Sequence, residues 1–185
     1  GGSCFPKDTL SLIHTAKCFG EEFSILEAVV ETNTDRTPRF IRRIKDVMGG
    51  NVKGLRFGVL GLAFKPDTDD MRDAKSVEVI NALAKEGANF AAYDPVATEN
   101  AKPLLPKGVD YKENAYEVAD DADALIIMTE WKEFRGLKLE ELKERMKRPI
   151  IFDGRNIYDP DRVERAGVEL YSIGRRGRSR TEEKV

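Results

Sequence analysis

The stretch Arg56-Phe57-Gly58-Val59-Leu60-Gly61-Leu62-Ala63-Phe64-Lys65-Pro66-Asp67-Thr68 decides how the rest of the chain folds. Its opening is a short apolar run without helical period that stops at a glycine, so it reads as a buried strand ending in a turn. Apolar runs of the same kind recur at 55–60, 89–93, 124–129, 149–152 and 168–173, with a shorter one at 109–111. Helical patterns lie between them at 76–86, 97–104, 115–119, 139–147 and 161–166. Strand alternating with helix at this spacing predicts an α/β fold: a parallel sheet covered on both faces, in a Rossmann-like domain over residues 51–174.

Open parallel sheets bind ligands outside the carboxyl ends of their strands, so the segments that follow the apolar runs hold the candidate site. The turn after 56–60 is not a dinucleotide fingerprint. A glycine followed by Phe64 and Lys65 offers instead an aromatic surface and a point charge suited to phosphate. A lysine in a loop is also an ordinary solvated residue, and spacing alone does not separate the two readings. Asp153-Gly154-Arg155-Asn156 follows the run ending at 152 and would present Arg155 to the same cleft. Its planar fork can engage phosphate oxygens or sugar hydroxyls at two points, although a capped turn explains the same residues. Thr129-Glu130-Trp131 and Phe134 follow another strand, with the two aromatics equally explicable as packing.

Upstream of the sheet the pattern is helical from Thr9 to Met48, with Leu12, Ile13 and Ala16 on one stripe and Phe23, Leu26, Val29, Val30 and Asn33 on another. Gly20 divides it into a helix from Thr9 to about Cys18 and a longer one from Glu21 to about Met48, which Gly49-Gly50-Asn51 ends. Pro38 removes a backbone donor, so a kink is expected over 33–38. Helices this long outside the following domain need another surface for their apolar stripes. Residues 9–50 are therefore expected to be a helical dimerisation segment, against the alternative that they pack only on their own chain.

The chain opens Gly1-Gly2-Ser3-Cys4-Phe5-Pro6-Lys7-Asp8, a thiol, a cation and a carboxylate within eight residues. Read as a loop, with Asp8 as N-cap of the helix that follows, it sets Cys4 just ahead of a helix N-terminus. Partial positive charge there, together with Lys7, favours the nucleophilic thiolate. Asp8 could hold or deprotonate a water. Against this stands the ordinary reading of a cysteine as a small buried hydrophobe, and of Gly-Gly-Ser as a linker.

In 185 residues, 41% of them hydrophobic, there is room for one large or two small domains with a real core. The 31 basic and 33 acidic residues nearly cancel, which argues against nucleic acid or an anionic membrane as partner. No apolar run approaches the roughly 20 residues of a transmembrane helix. Cys4 and Cys18 lack the spacing of a disulfide framework or metal site, so no metal is expected and a reducing cytoplasm fits. With His14 the single histidine, a Ser-His-Asp arrangement or multi-histidine metal site is close to excluded. The tail over 175–185, with Arg176, Arg178 and Arg180 among Gly, Ser and Glu, reads as disordered.

The segment Gly1–Asp8 resembles the catalytic-cysteine segment of the UDP-glucose 6-dehydrogenase family, whose members use NAD to oxidise a nucleotide-sugar alcohol to the acid. Related UDP-N-acetylmannosamine and GDP-mannose dehydrogenases have similar segments, and the Phe-Pro-Lys-Asp ending resembles the UDP-glucose branch most. The run from Gly61 to Arg72 is similar to the family's stretch in which a Phe-Lys pair holds the UDP-sugar and a later Arg reaches NAD. Thr129-Glu130-Trp131 and the Arg155 turn resemble further family segments, in the family's order. The resemblance implies Cys4 and Asp8 as catalytic residues, Gly1, Phe64, Lys65 and Arg155 as substrate-binding, and Lys7 and Arg72 as cofactor-binding. It implies a homodimer through the central helix, and an NAD held mainly by an N-terminal domain outside these residues. One departure stands out: Thr34-Asp35-Arg36-Thr37-Pro38 lacks the glutamine that commonly follows Asn33 by three. A non-catalytic nucleotide-sugar-binding and dimerisation module remains the rival reading.

Overall fold

The computed structural model describes residues 4–175, and of Cys4 only the backbone. Six strands form one all-parallel sheet in the order β3-β2-β1-β4-β5-β6: β1 (Arg56–Leu60), β2 (Asn89–Tyr93), β3 (Asp110–Tyr111), β4 (Ala124–Ile127), β5 (Ile150–Asp153) and β6 (Glu169–Ser172). The chain builds outward from β1 to β3, then returns across β1 to start the other half at β4. A crevice between oppositely directed connections therefore opens beyond the carboxyl ends of β1 and β4.

Each central strand is apolar on both faces because both faces are covered. Phe57, Val59, Phe90, Ala92, Ile126 and Phe152 point into one core layer, with α2 (Ser24–Val47) and α3 (Lys75–Lys85) over them. Leu60, Ala91, Leu125, Ile127 and Ile151 point into the other, under α5 (Lys132–Arg135), α6 (Leu139–Arg145) and α7 (Pro160–Arg165). Gly58 is dictated by this second layer. A Cβ there would lie 2.5 Å from both the Val118 carbonyl and a Leu125 methyl, so β1 closes on its neighbours only without a side chain. The strand expectations hold to within two residues at each end.

Other boundaries shift. The expected helix over 97–104 is α4 (Thr98–Ala101) followed by a 3-10 turn Lys102–Leu104, because Pro103 breaks the helical ladder. The one over 115–119 is only a 3-10 turn, Glu117–Ala119, begun by Asn114 Oδ1 accepting from the amides of Tyr116 and Glu117. The longer upstream helix starts at Ser24 rather than Glu21, and continues through Pro38 to Val47. Its carboxyl half is part of the α/β core: Phe40, Ile44 and the capping Met48 are buried among the strand residues. Lys45 Nζ also pairs with Glu86 at 2.8 Å, tying it to the end of α3.

The largest correction is at the start. Helix α1 (Cys4–Cys18) begins at Cys4, so residues 4–8 are helical rather than loop, and Asp8 lies in the second turn instead of capping the first. Pro6 permits this because the first-turn amides have no intrahelical acceptor, so its missing N–H costs nothing. Gly1 and residues 176–185 of the expected disordered tail lie outside the described residues. No helix among the described residues is long and apolar enough to cross a membrane.

Candidate functional site

The crevice floor is organised by one buried carboxylate, Asp94, directly after β2 and 3% exposed. Its Oδ2 accepts from the amides of Leu62 at 2.7 Å and Ala63 at 3.2 Å, and from Trp131 Nε1 at 3.3 Å. Its Oδ1 accepts from the amides of Val96 and Ala97 at 3.0 and 2.9 Å. Five donors thus converge on one side chain. The turn after β1 is fixed from the other side by Thr129, whose hydroxyl donates to the Ala63 carbonyl at 2.6 Å. Gly61, at φ +91°, passes so close to β4 that a Cβ would lie 2.6 Å from the Thr129 amide nitrogen.

Phe64 and Lys65 stand at the tip of this fixed turn. Phe64 is half-buried and Lys65 exposed, with its Nζ 5.3 Å from the Phe64 ring centroid. Arg155 arrives from the end of β5, where the buried Asp153 accepts from the Arg155 amide at 3.0 Å and the Tyr158 amide at 3.0 Å. Its guanidinium then spans three strand ends. Nε donates to the Met128 carbonyl at 2.6 Å and faces Glu130 Oε2 at 3.3 Å, while Nη2 donates to the Phe64 carbonyl at 2.8 Å. Arg155 is therefore not a free cationic arm reaching into solvent. It clasps the Phe64 turn to β4, and among the described residues its Nη1 alone has no hydrogen bond in the fork. Beside it a cleft of about 240 Å³ runs between Asn33, Arg36, Thr37 and Phe40 of α2, Lys75 and Val79 of α3, and the Met128 and Arg155 segments.

The other expected residues lie elsewhere. Arg72, past the Phe64 turn, is bidentate to Asp70, with Nη2 to Oδ2 at 2.7 Å and Nε to Oδ1 at 3.0 Å. Hydrogen bonding from Arg72 holds the Asp70 carboxyl down, from 3.8 to about 2. The pair borders a separate, open depression with Asn100 and Leu104. Lys7 and Asp8 pair with each other at 3.6 Å, both exposed, and among the described residues neither makes a hydrogen bond or ion pair to the strand-end turns. Gly1 and the Cys4 side chain are outside the described residues. Cys18 is exposed, with its sulfur 3.7 Å from His14 Nε2.

The turn after β1 also decides what this sheet does not hold in the usual way. In a dinucleotide-binding Rossmann domain the amides of that turn face the diphosphate. Here the Leu62 and Ala63 amides are taken by Asp94, whose charge opposes a diphosphate in the same place. The first turn therefore does not fit NAD. Asp94 and Glu130 carry roles that the sequence reading did not assign. The available signal was an acid immediately after a buried apolar run, at Asp94 as at Asp153.

A parallel sheet of this order, with a cleft at its switch point, defines a doubly wound α/β domain preceded by a helical arm. The profile of the UDP-glucose/GDP-mannose dehydrogenase family, UDP binding domain, matches residues 58–160, and that of the same family's central domain matches residues 1–35. The chain belongs to the UDP-glucose/GDP-mannose dehydrogenase family. It is 46% identical over 175 residues to a UDP-glucose 6-dehydrogenase of Rhizobium meliloti (strain 1021), covering 95% of this chain and 40% of that one. A UDP-glucose 6-dehydrogenase of Bacillus subtilis (strain 168) is 42% identical, with 95% and 38% covered. Among solved structures, a UDP-glucose dehydrogenase of Pyrobaculum islandicum superposes with TM-score 0.74 at 36% identity, over 88% of this chain and 36% of that one. The chain thus spans about two fifths of the curated relatives it matches.

Proposed function

We propose that this chain is the carboxyl-terminal part of an NAD-dependent UDP-glucose 6-dehydrogenase of the cytoplasm, oxidising UDP-glucose to UDP-glucuronate. The observation that carries the reading is the bond from Arg155 Nη2 to the Phe64 carbonyl, which sets both candidate substrate segments at one strand-end crevice of a domain whose family binds UDP. Lys65 supplies charge to the diphosphate, Phe64 an apolar wall, and Arg155 its remaining N–H groups to the nucleotide-sugar. NAD, when bound, takes up the hydrides and is held mainly by residues outside this chain, with Lys7 and Arg72 reaching its edge.

In this reading Cys4 is the nucleophile. Its thiolate adds to the C6 aldehyde, forming a C–S bond and placing the electron pair on oxygen as a thiohemiacetal. Oxidation of that adduct leaves a thioester. Water deprotonated beside Asp8 then attacks the carbonyl, and breaking the C–S bond returns the thiolate and frees the carboxylate. Residues 1–8 act as the catalytic-cysteine segment, 9–50 as the dimerisation segment and 51–174 as the UDP-sugar-binding domain. A related UDP-N-acetylmannosamine or GDP-mannose dehydrogenase is a second reading, favoured by the family's breadth alone.

Calorimetry with UDP-glucose tests this on the chain itself. Binding is expected, without turnover, and Lys65→Ala or Arg155→Ala should each weaken it about tenfold to a hundredfold, from losing about 1.5 to 3 kcal/mol of charge-assisted contact. No binding by the folded chain, or binding indifferent to both substitutions, removes the site.

A further inference from the structure

A second cleft lies along α2, and the substrate reading makes no use of it. Arg36, Arg39 and Arg43 recur three and four residues apart and so share a side of the helix, with Arg42 flanking them. Together with Phe40, Asp46 and the Ser172-Ile173-Gly174 segment at the carboxyl end of β6, they enclose about 380 Å³. Two polar groups in its wall are unmet among the described residues. Ser172 is 3% exposed and its Oγ has no hydrogen-bond partner. Arg43 Nε is also buried without an acceptor, while the guanidinium carbon lies 5.6 Å from the centre of the Tyr171 ring. Leaving a buried hydroxyl and a buried charged N–H unpaired is unfavourable, and the group both lack is an acceptor.

Charge points the same way. Asp35 pairs with Arg39 and, at 3.6 Å, with Arg42. Among the described residues Arg36 and Arg43 have no carboxylate partner, and Asp46 alone opposes them inside the cleft. We propose that this cleft is a binding site for a small phosphate-bearing anion, with Arg36, Arg43 and the Ser172 hydroxyl donating to its oxygens. Arg36 to Arg43 spans about 10 Å of helix axis, at about 1.5 Å rise per residue, which suits a diphosphate better than a single phosphate. The site stands at a strand's carboxyl end, where ligands of open α/β sheets gather. It adjoins the Arg155 cleft through Arg36, Phe40 and Ile173, which border both.

Calorimetry with inorganic diphosphate, at ionic strength held constant by chloride, tests the proposal on the 185-residue chain. A saturable site separate from the Lys65 crevice is expected, with a melting temperature that rises with diphosphate concentration. Arg43→Gln should weaken binding at least tenfold and Ser172→Ala severalfold, while Lys65→Ala leaves it unchanged. Should Arg43→Gln not fold, Arg36→Gln carries the test, because Arg36 is exposed and lines the same cleft, and it should weaken binding severalfold. Absence of saturable binding at millimolar diphosphate overturns the proposal. So does binding lost with Lys65→Ala and kept by the arginine variants, which would place the anion in the substrate cleft.

Discussion

Asp94 joins three segments distant in sequence through a single carboxylate, so its replacement has the widest reach of any single side chain around the cleft. Asp94→Ala leaves buried amides of the β1 turn and the Trp131 indole without an acceptor, at about 1 to 3 kcal/mol for each group that water cannot reach. Urea denaturation should show a loss of about 3 kcal/mol or more; a loss under 1 kcal/mol would mean that the turn holds its shape without it. The Asp70–Arg72 pair makes a prediction about acidity. The Asp70 folded value, about 2, lies below its ordinary 3.8, so its contribution is present above about pH 4 and disappears as pH falls through 2. Carboxyl NMR titration should find Asp70 still ionised at pH 3, and Arg72→Gln should return it to the ordinary range. For Cys4, α1 beginning at that residue sets its backbone at a helix N-terminus with Lys7 one turn on. We propose that iodoacetamide alkylates Cys4 faster than Cys18, at a pH well below the roughly 8.5 of a free thiol; equal rates would refute an activated nucleophile.

Helices α1 and α2 behave as two kinds of element joined end to end. From Thr37 onward α2 buries Thr37, Phe40 and Ile44 against the sheet, whereas Ile25 and Val29 nearer its start are 75% and 51% exposed. Phe5, Leu10, Leu12 and Phe19 of α1 and its end are exposed as well. Apolar surface gathered on one arm, on a chain whose sheet is otherwise covered, is the property of an interface. We propose that the arm pairs with its copy in a second chain. Sedimentation at micromolar concentration should give a dimer, and Ile25→Asp with Val29→Asp should return it to monomer without altering the helical signal. A monomer in the unsubstituted chain would assign this surface to other parts of the protein.

At the scale of the molecule, cohesion is uneven. Strands β1 and β4 are buried on both faces in mid-sheet, while α1 offers only Ile13 as a buried hydrophobe among its described side chains. Amide hydrogen exchange should therefore be slowest in β1 and β4 and fastest in α1, with α2 protected from Thr37 onward; uniform protection along α2 would contradict this division. The sequence disclosed the central strands because a strand buried on both faces must be continuously apolar, as 57–60 and 124–127 are. It disclosed Phe64, Lys65 and Arg155 as candidates because strand ends are where side chains leave the core. It did not disclose that Arg155 spends its hydrogen bonds on the Met128 and Phe64 carbonyls, since a long side chain's partners depend on packing between segments 91 residues apart. Nor did it place the start of α1, because a proline near a helix entrance fits a first turn and a preceding bend equally well. The Asp94 carboxylate has a last consequence. It is a counter-ion supplied from within, seated where a related sheet would accept one from outside. Asp94→Gly should leave a vacancy shaped for a small carboxylate, and formate added to that variant should restore part of its lost stability, where chloride should not.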